Sequence, residues 1–535
     1  MMIKNGTVYD PLNGIDGERM DIFVENGKIV EESKEKEVID ASGLMVMPGG
    51  VDIHSHIAGS KINIGRLLRP EDHRKDVVPR TEITRSGVGY TVPTTFVTGY
   101  RYAELGYTTV AEAAVPPIGA RHVHEEFADT PMIDKMMFPL MGNNYFVLKY
   151  IEEDEFEKLK NFVAFLLNAT KGYAIKMVNP GGVESWKWGK NVESLDDKVE
   201  NYDVTPREVI TNLAKVNEEL GLPHSVHVHC NNLGAPGNFE TTIETMSALR
   251  ERIHITHIQF NSYAGEDWAS FASGAPEVAN YINKNEHVTC DVGQVVFGDA
   301  TTMTADGPWQ HTLYKLTGNK WVNSDVEMET GAGIVPYVFR ERNLVNAIQW
   351  AIGLELFLLI EDPWRVYLTT DHPNAGPFYH YPKVISWLMS NEKRGELLAK
   401  THKGVSKMTT LSDIDREYSL YEIAIITRAA TAKALGLRDK GHLGIGADAD
   451  IAIYKLEDDF ERSFSRAKYV IKDGEIVVRD GKIAKGHLGR TFWVDAGGEA
   501  TDEIKEIFSE YYTLNFENYP VQEEYLPRQE VISCK

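Results

Sequence analysis

Cysteine is scarce in this chain: three in 535 residues, Cys230, Cys290 and Cys534, none of them in a CxxC pair. That excludes a zinc ribbon, an iron–sulfur motif and a disulfide framework. Positive charge is also short. Lys and Arg number 56 against 79 Asp and Glu, a formal net charge of −23, which argues against nucleic acid or an anionic membrane as the main partner. Long apolar runs are missing. The most hydrophobic stretch, Val345 to Ile360, is interrupted by Asn346, Gln349, Gly353 and Glu355 and is too short to span a bilayer. The opening MMIKNGTVYDPLNG has no apolar signal core, so a cytoplasmic protein is expected. No internal repeat or low-complexity tract is evident.

What is present is a long alternation of strand-like and helix-like runs between two β-rich ends. At the N-terminus MIKNGTVYDP, DIFVENGKIV and EVIDASGLMVMP alternate apolar and polar residues, with Asn26-Gly27 as a hairpin turn. GIGADADIAIYKLE and AKYVIKDGEIVVRDGKIAKG repeat the pattern near the other end, with turns at Asp473-Gly474 and Asp480-Gly481. Between them, strands are expected at Met47–His54, Tyr107–Ala113, Lys135–Leu140, Gly172–Val178, Ser225–His229, Ile253–Gln259, Val288–Val292 and Arg365–Thr370. Eight such strands alternating with helices predict an α/β chain whose centre is a (β/α)8, TIM-like barrel. PREVITNLAKVNEELG is one of the separating helices, started by Thr205-Pro206 and stopped by Gly221.

The expected division is 1–47 and 436–494 as one small composite β-sandwich from both chain ends, 48–435 as the barrel, and 495–535 as an extension serving subunit contact. Two excursions exceed a minimal barrel, Ile57 to Gly106 and Phe297 to about Asn343. Loops of that length at a barrel's catalytic face are usually functional or carry their own structure.

Five segments end apolar runs with metal-binding side chains: His54-Ser55-His56, Lys176, His229, His257 and Asp371. All would sit at the carboxyl ends of strands, where barrel active sites are built. An HxH pair at a strand end puts both imidazoles on one side, ready to share a cation. Lys176, alone, reads as a lysine snorkelling to the barrel mouth. Between the histidines it reads instead as a buried amine that carbon dioxide converts to a carbamate, an anion with two oxygens. His227 shares the His229 face; His254 should face away from His257. Asp371 can hold a metal and exchange a proton with water, as general base and acid. Asn231 and Asn232 follow a ligand and either bind substrate or shape the loop.

In this order the residues resemble the amidohydrolase superfamily, and within it the dihydroorotase and hydantoinase branch. VDIHSH, AIKMV, HVHCNN, ITHIQF and TTDHP match that branch's ligand segments one by one. The resemblance implies two divalent ions, zinc by expectation. The first would be held by His54, His56, Lys176 and Asp371, the second by Lys176, His229 and His257, with Lys176 present as N6-carboxylysine.

A narrower resemblance is to the amidohydrolase-type subunits of formylmethanofuran dehydrogenases. It runs over nearly the whole chain, through IKNGTVYDPLNGIDGE, HIAGSKINIGRLLRPEDHR, KMVNPGGVESWKWG, HVHCNNLGAPGNFETT and DVGQVVFGDATTMTADGPWQ. It implies condensation of formate with the amine of methanofuran, or hydrolysis of the formamide, within carbon dioxide reduction in methanogenesis. It also implies partner subunits: one formate-dehydrogenase-like, with molybdenum or tungsten, and iron–sulfur proteins. The dearth of cysteine agrees with a chain that carries no redox cofactor itself. Methanofuran's glutamyl carboxylates would find cations in the first excursion, namely Lys61, Arg66, Arg69, Arg74, Lys75 and Arg80. Three other readings stay open: a stand-alone cyclic amidohydrolase, a metal-free scaffold of the same fold, and the hydrolytic subunit of a formyltransferase/hydrolase complex.

Overall fold

The computed structural model describes residues 1–323, 333–512 and 515–534; the portions of the second excursion and of the tail at 324–332, 513–514 and 535 lie outside the described residues. Eight parallel strands form a closed ring at its centre. In chain order they are Gly50–Ser55, Tyr107–Val115, Asp134–Pro139, Lys176–Val178, Val226–His229, Ile253–Ile255, Val288–Asp291 and Val366–Tyr367. Each pairs with the next, and single bridges at Leu140↔Lys176 and Ser55↔His372 join the two halves. The expected α/β barrel is therefore present, with every strand overlapping the run that predicted it, although Met47 and Pro48 of the first run belong to another sheet and the sixth strand stops at Ile255. The strands are buried along almost their whole length, as parallel strands covered on both faces must be.

The surrounding helices follow from local sequence. Pro206–Glu219 opens on a capping box between Thr205 and Glu208, with Pro206 in its first turn, and Gly221 beyond it takes φ +61°. Leu344–Leu359, the apolar stretch, is a buried helix of the outer layer. Its polar interruptions find partners inside: Asn346 donates to the Tyr337 hydroxyl, Gln349 to that of Tyr263, and Glu355 accepts from Ser273 and Thr410. Among the described residues no helix is long and apolar enough to cross a membrane.

Both chain ends build one nine-stranded sheet, in which Met45–Pro48 pairs with Ile451–Tyr454. Ile3, Ile29, Ile453 and Ile476 from distant strands share one apolar cluster, so the sheet curls around its own core. One detail differs from the expected division. Thr491–Val494 leaves this sheet and pairs with the third barrel strand at Lys135, and Gln529–Ile532 then adds beside it. The extension expected to contact another subunit packs its apolar residues on its own barrel. Ile504, Phe508 and Tyr512 are buried, and Phe516 stacks on Phe165. The reason is the amphipathic helix Asp502–Tyr511, whose apolar face already has a partner within the chain.

The two excursions meet above the barrel. Ile62 and Val92 of the first pack with Met303 and Ile334 of the second, whose strands Gly298–Thr304 and Gly333–Phe339 are antiparallel.

Candidate metal centre

The first barrel strand delivers His54 and His56 to the carboxyl-end mouth, and Asp371 follows the eighth. Asp371 Oδ1 lies 3.0 Å from His54 Nε2 and 3.2 Å from His56 Nε2. His54, His257 and Asp371 bring one ligand atom each within 4.8 Å of one another. The His229 and His257 rings are 4.7 Å apart, edge to face. With Lys176, all six residues read as ligands from the sequence line one cavity, and each is almost wholly buried.

His257 reaches the cavity by a route that strand alternation does not describe. Parity turns His254 and Thr256 inward, which would send His257 outward. The strand stops at Ile255, and His257 takes a left-handed backbone, φ +35°, that turns it in. Gly293 makes room: a Cβ there would sit 2.6 Å from His257 Cβ. Asp371 is also left-handed, φ +47°. Such conformations in non-glycine residues each cost about 1–3 kcal/mol and persist where the surroundings impose them. His254, expected to face away from His257, points into the barrel one layer deeper, with Nε2 3.0 Å from Asp291 Oδ2.

The donor set fits a cation. His54 Nε2, His257 Nδ1 and Lys176 Nζ are buried with no hydrogen-bond partner, a costly state for polar atoms unless something else engages them. Burial holds the His54, His229 and His257 imidazoles below their ordinary range, so they are neutral bases. Burial also pushes the Lys176 amine down to about 7, against the opposing pull of Asp291 and Asp371. Orienting partners stand behind the ligands. Glu112 Oε1 is 3.0 Å from His56 Nδ1, while Oε2 accepts from the Ile57 and Ala58 amides. Asp306 Oδ2 is 3.0 Å from His229 Nε2.

A family model described as "Amidohydrolase family" matches residues 37–478. The chain belongs to the amidohydrolase family. It is 54% identical over 558 residues to Protein FwdA of Methanocaldococcus jannaschii, covering 99% of this chain and 98% of that one. It is 39% identical over 510 residues to the A component of the formyltransferase/hydrolase complex Fhc of Methylorubrum extorquens, with 93% and 92% covered. A crystal structure of that organism's FhcABCD complex with methylofuran aligns at TM-score 0.94 and 36% identity, over 100% of this chain and 99% of its counterpart. These whole-length likenesses bear out the narrower resemblance read from the sequence.

The cavity of this amidohydrolase measures about 300 Å³. The six candidate ligands line it, and Leu233, Phe260, Trp268, Trp309, Tyr337 and Phe339 give it an apolar, aromatic wall. Half of these wall residues, and most of the rest of the lining apart from the candidate ligands, come from the second excursion, including helix Gly307–Thr317. Asn231, Asn232, Lys61 and Arg66, expected to bind substrate, are not among the described residues lining it. Asn231 donates to Asn179 and to the Pro180 carbonyl, and Asn232 to the Glu193 carbonyl, so both shape loops. Lys61 Nζ donates to the Ala114 carbonyl at 2.8 Å, and Arg66 to Pro93, Asn63 and Glu126. Arg69 pairs with Asp72, and Lys75 with Asp299. These cations hold the excursion together because each finds an anion or carbonyl of the same fold within reach.

Three residues escaped the sequence reading: Glu112, Asp291 and Asp306. Glu112 and Asp291 are lone carboxylates in apolar strands, TVAEAAV and VTCDV, and that signal was visible. Asp306 announces itself only as a helix start before Gly307-Pro308, its Oδ1 accepting from the Trp309 amide. Its reach to His229 depends on how the excursion folds back.

Proposed function

We propose that this chain is the amidohydrolase subunit of a formylmethanofuran dehydrogenase, condensing formate with the methanofuran amine at a two-metal site and able to hydrolyse the formamide. The observation that carries this reading is that full-length likeness to FwdA and to the A component of Fhc extends through the second excursion, which supplies most of the cavity lining apart from the candidate ligands. The ligands would be His54, His56, Lys176 as its carbamate, His229, His257 and Asp371, and the ions zinc. When bound, such ions supply a Lewis acid for the carbonyl oxygen and lower the pKa of a water.

The chain's own residues do the rest. Asn374 Nδ2 donates to Asp371 Oδ1 at 2.9 Å and steadies that carboxylate. In hydrolysis Asp371 takes a proton from the attacking water and delivers it to the departing amine nitrogen; in condensation it takes the proton of the attacking amine and passes it to the formate oxygen, which leaves as water when the C–O bond breaks. Glu112 and Asp306 hold His56 and His229 in place. The aromatic wall excludes water and would lie against the furan end of the substrate. Partners would be iron–sulfur proteins and a formate-producing subunit with molybdenum or tungsten, since formate must be supplied by a reduction this chain does not perform. The cytoplasm is the proposed location.

The test is copurification from the native host, with metal analysis and a formamide assay. Two ions per chain, a copurifying partner that carries molybdopterin or tungstopterin, and formate release from formylmethanofuran are expected. Hydrolysis of a dihydropyrimidine ring without release of formate would overturn the reading. A second reading, the hydrolytic subunit of a formyltransferase/hydrolase complex, is favoured by the 0.94 TM-score to the Fhc assembly; copurification with a formyltransferase and no redox partner would establish it.

A further inference from the structure

Beneath the metal centre a file of three buried imidazoles runs through the barrel. His224 Nδ1 is 2.8 Å from the Ala434 carbonyl oxygen, at the end of helix Ala430–Ala434. His224 Nε2 is 3.0 Å from His227 Nδ1, and His227 Nε2 is 2.9 Å from His54 Nδ1. All three side chains are 0–1% exposed, and burial disfavours the charged form of each. A neutral imidazole has one donor nitrogen and one acceptor nitrogen. The carbonyl at the far end can only accept.

That single fact orders the whole file. His224 must carry its proton on Nδ1, leaving Nε2 to accept. His227 then carries its proton on Nδ1 and accepts through Nε2. His54 is left with the proton on Nδ1 and a bare Nε2. This is the nitrogen that faces Asp371 Oδ1 at 3.0 Å yet has no hydrogen-bond partner, because the oxygen lies off the line an N–H would take. Asp291 Oδ2, 3.7 Å from His54 Nδ1, favours a proton on that same nitrogen. The Thr256 hydroxyl, also in contact with His54 Nδ1, can rotate to accept and so follows the file's direction.

We propose that His224 and His227 are positioning residues: a backbone carbonyl at the barrel floor, acting through both rings, fixes the tautomer of His54 and keeps its Nε2 lone pair turned to the metal site. The proposal rests on the reading of His54 as a ligand. It gives a function to two histidines that lie outside the candidate ligand set and do not line the cavity. Partners that fix a ligating histidine's tautomer typically change metal affinity by about 10–100-fold.

Two measurements on the full-length chain test it. In nitrogen-15 NMR of the metal-free protein, with His54 assigned by signal loss in His54→Asn, Nδ1 should be protonated and Nε2 bare. The opposite pattern in the wild-type spectrum overturns the relay. In zinc titration against a competing chelator, His224→Leu, two rings from the metal, should weaken binding by about 10–100-fold. His224→Gln, whose amide offers a donor to Ala434 and an acceptor to His227, should restore it. Equal affinity in His224→Leu and wild type, or no rescue by glutamine, would sink the relay. A wild-type chain that binds no zinc would instead break the reading of His54 as a ligand, while the nitrogen shifts would still judge the file itself.

Discussion

Asp134, Asp448 and Asp473 bring their carboxylate oxygens as close together as His54, His257 and Asp371 bring their ligand atoms, within 4.8 Å in both cases. Each trio could hold a cation by that measure, and the rest of their surroundings separates them. At the junction of the barrel and the end-derived sheet, cations of the chain already fill the space. Lys440 Nζ lies 2.6 Å from both Asp134 and Asp450 and 2.9 Å from Asp448; Lys472 Nζ lies 2.8 Å from Asp134. Arg490 closes the group. Among the described residues lining the barrel-mouth cavity the only ammonium is Lys176, and it has no hydrogen-bond partner. A cluster that satisfies itself is architecture. One left with bare nitrogens and an unpaired amine is arranged around something the chain does not contain.

Asp371→Asn should break the open cluster most severely. The amide keeps the shape but can neither carry the charge nor take the proton, and loss of a general acid–base costs about 10²–10⁴-fold in kcat. A formamide assay with folding followed by circular dichroism checks it; a loss under tenfold would remove Asp371 from the proton path. Lys472→Met attacks the closed cluster. Removing one partner of a buried ion network costs about 3–5 kcal/mol, so denaturant midpoints should fall sharply while zinc stoichiometry stays unchanged.

The pH dependence of stability sharpens the same contrast. Burial alone would raise the Asp134, Asp448 and Asp450 carboxyls, but Lys440 with Lys472 or Arg490 overrides it and holds all three below the usual range. Depressed carboxylates contribute stability that is full above their unfolded pKa of about 3.9 and lost as pH falls toward the folded values. The wild-type chain should therefore lose stability steadily below about pH 5. Lys472→Met should show a shallower acid slope, measured by urea unfolding across that range. An equal slope would assign the acid sensitivity elsewhere.

Glu112→Gln comes next in size. It keeps a hydrogen bond to His56 Nδ1 in one orientation only and removes the charge behind the ligand, so metal affinity should drop by about 10–100-fold. Chelator competition reads it directly, and unchanged affinity would show that the Ile57 and Ala58 amides, not His56, are what Glu112 serves.

How much of this was legible beforehand follows from the range of the forces involved. The barrel strands could be read because burial on both faces makes each a local apolar run, and MPGGVDIHSH or RVYLTTD carries its chemistry at the end of that run. The six side chains at those ends do come together in one cavity. What failed were rules applied past their range. Period-two parity counted back from His257 put His254 on the opposite face, because the backbone at His257 leaves the strand region. Cations in the first excursion looked free because their partners, Asp299 and Glu126 among them, are distant in sequence. The junction network joins Asp134 to residues some 300 positions later, and no local pattern encodes that pairing.

The smallest expected effect discriminates best between the two clusters. Lys176→Met and Lys472→Met remove a lysine amine from sites equally buried, 1% and 0% exposed. In the closed cluster the deletion leaves Asp134 and Asp450 one cation short, with Lys440 shared between them. In the open one, measured on metal-free protein, it removes an amine that burial already disfavours and that no hydrogen bond repays. Replacing such a group by an apolar one of similar length should leave stability unchanged or raise it by about 1 kcal/mol, while on the proposed ligand set zinc binding should be lost. Paired urea titrations of the two metal-free variants measure this. If Lys176→Met lost as much stability as Lys472→Met, Lys176 would be a structural cation paired with Asp291 and Asp371, and the distinction between a site completed by the chain and one completed from outside would fail where it is drawn most sharply.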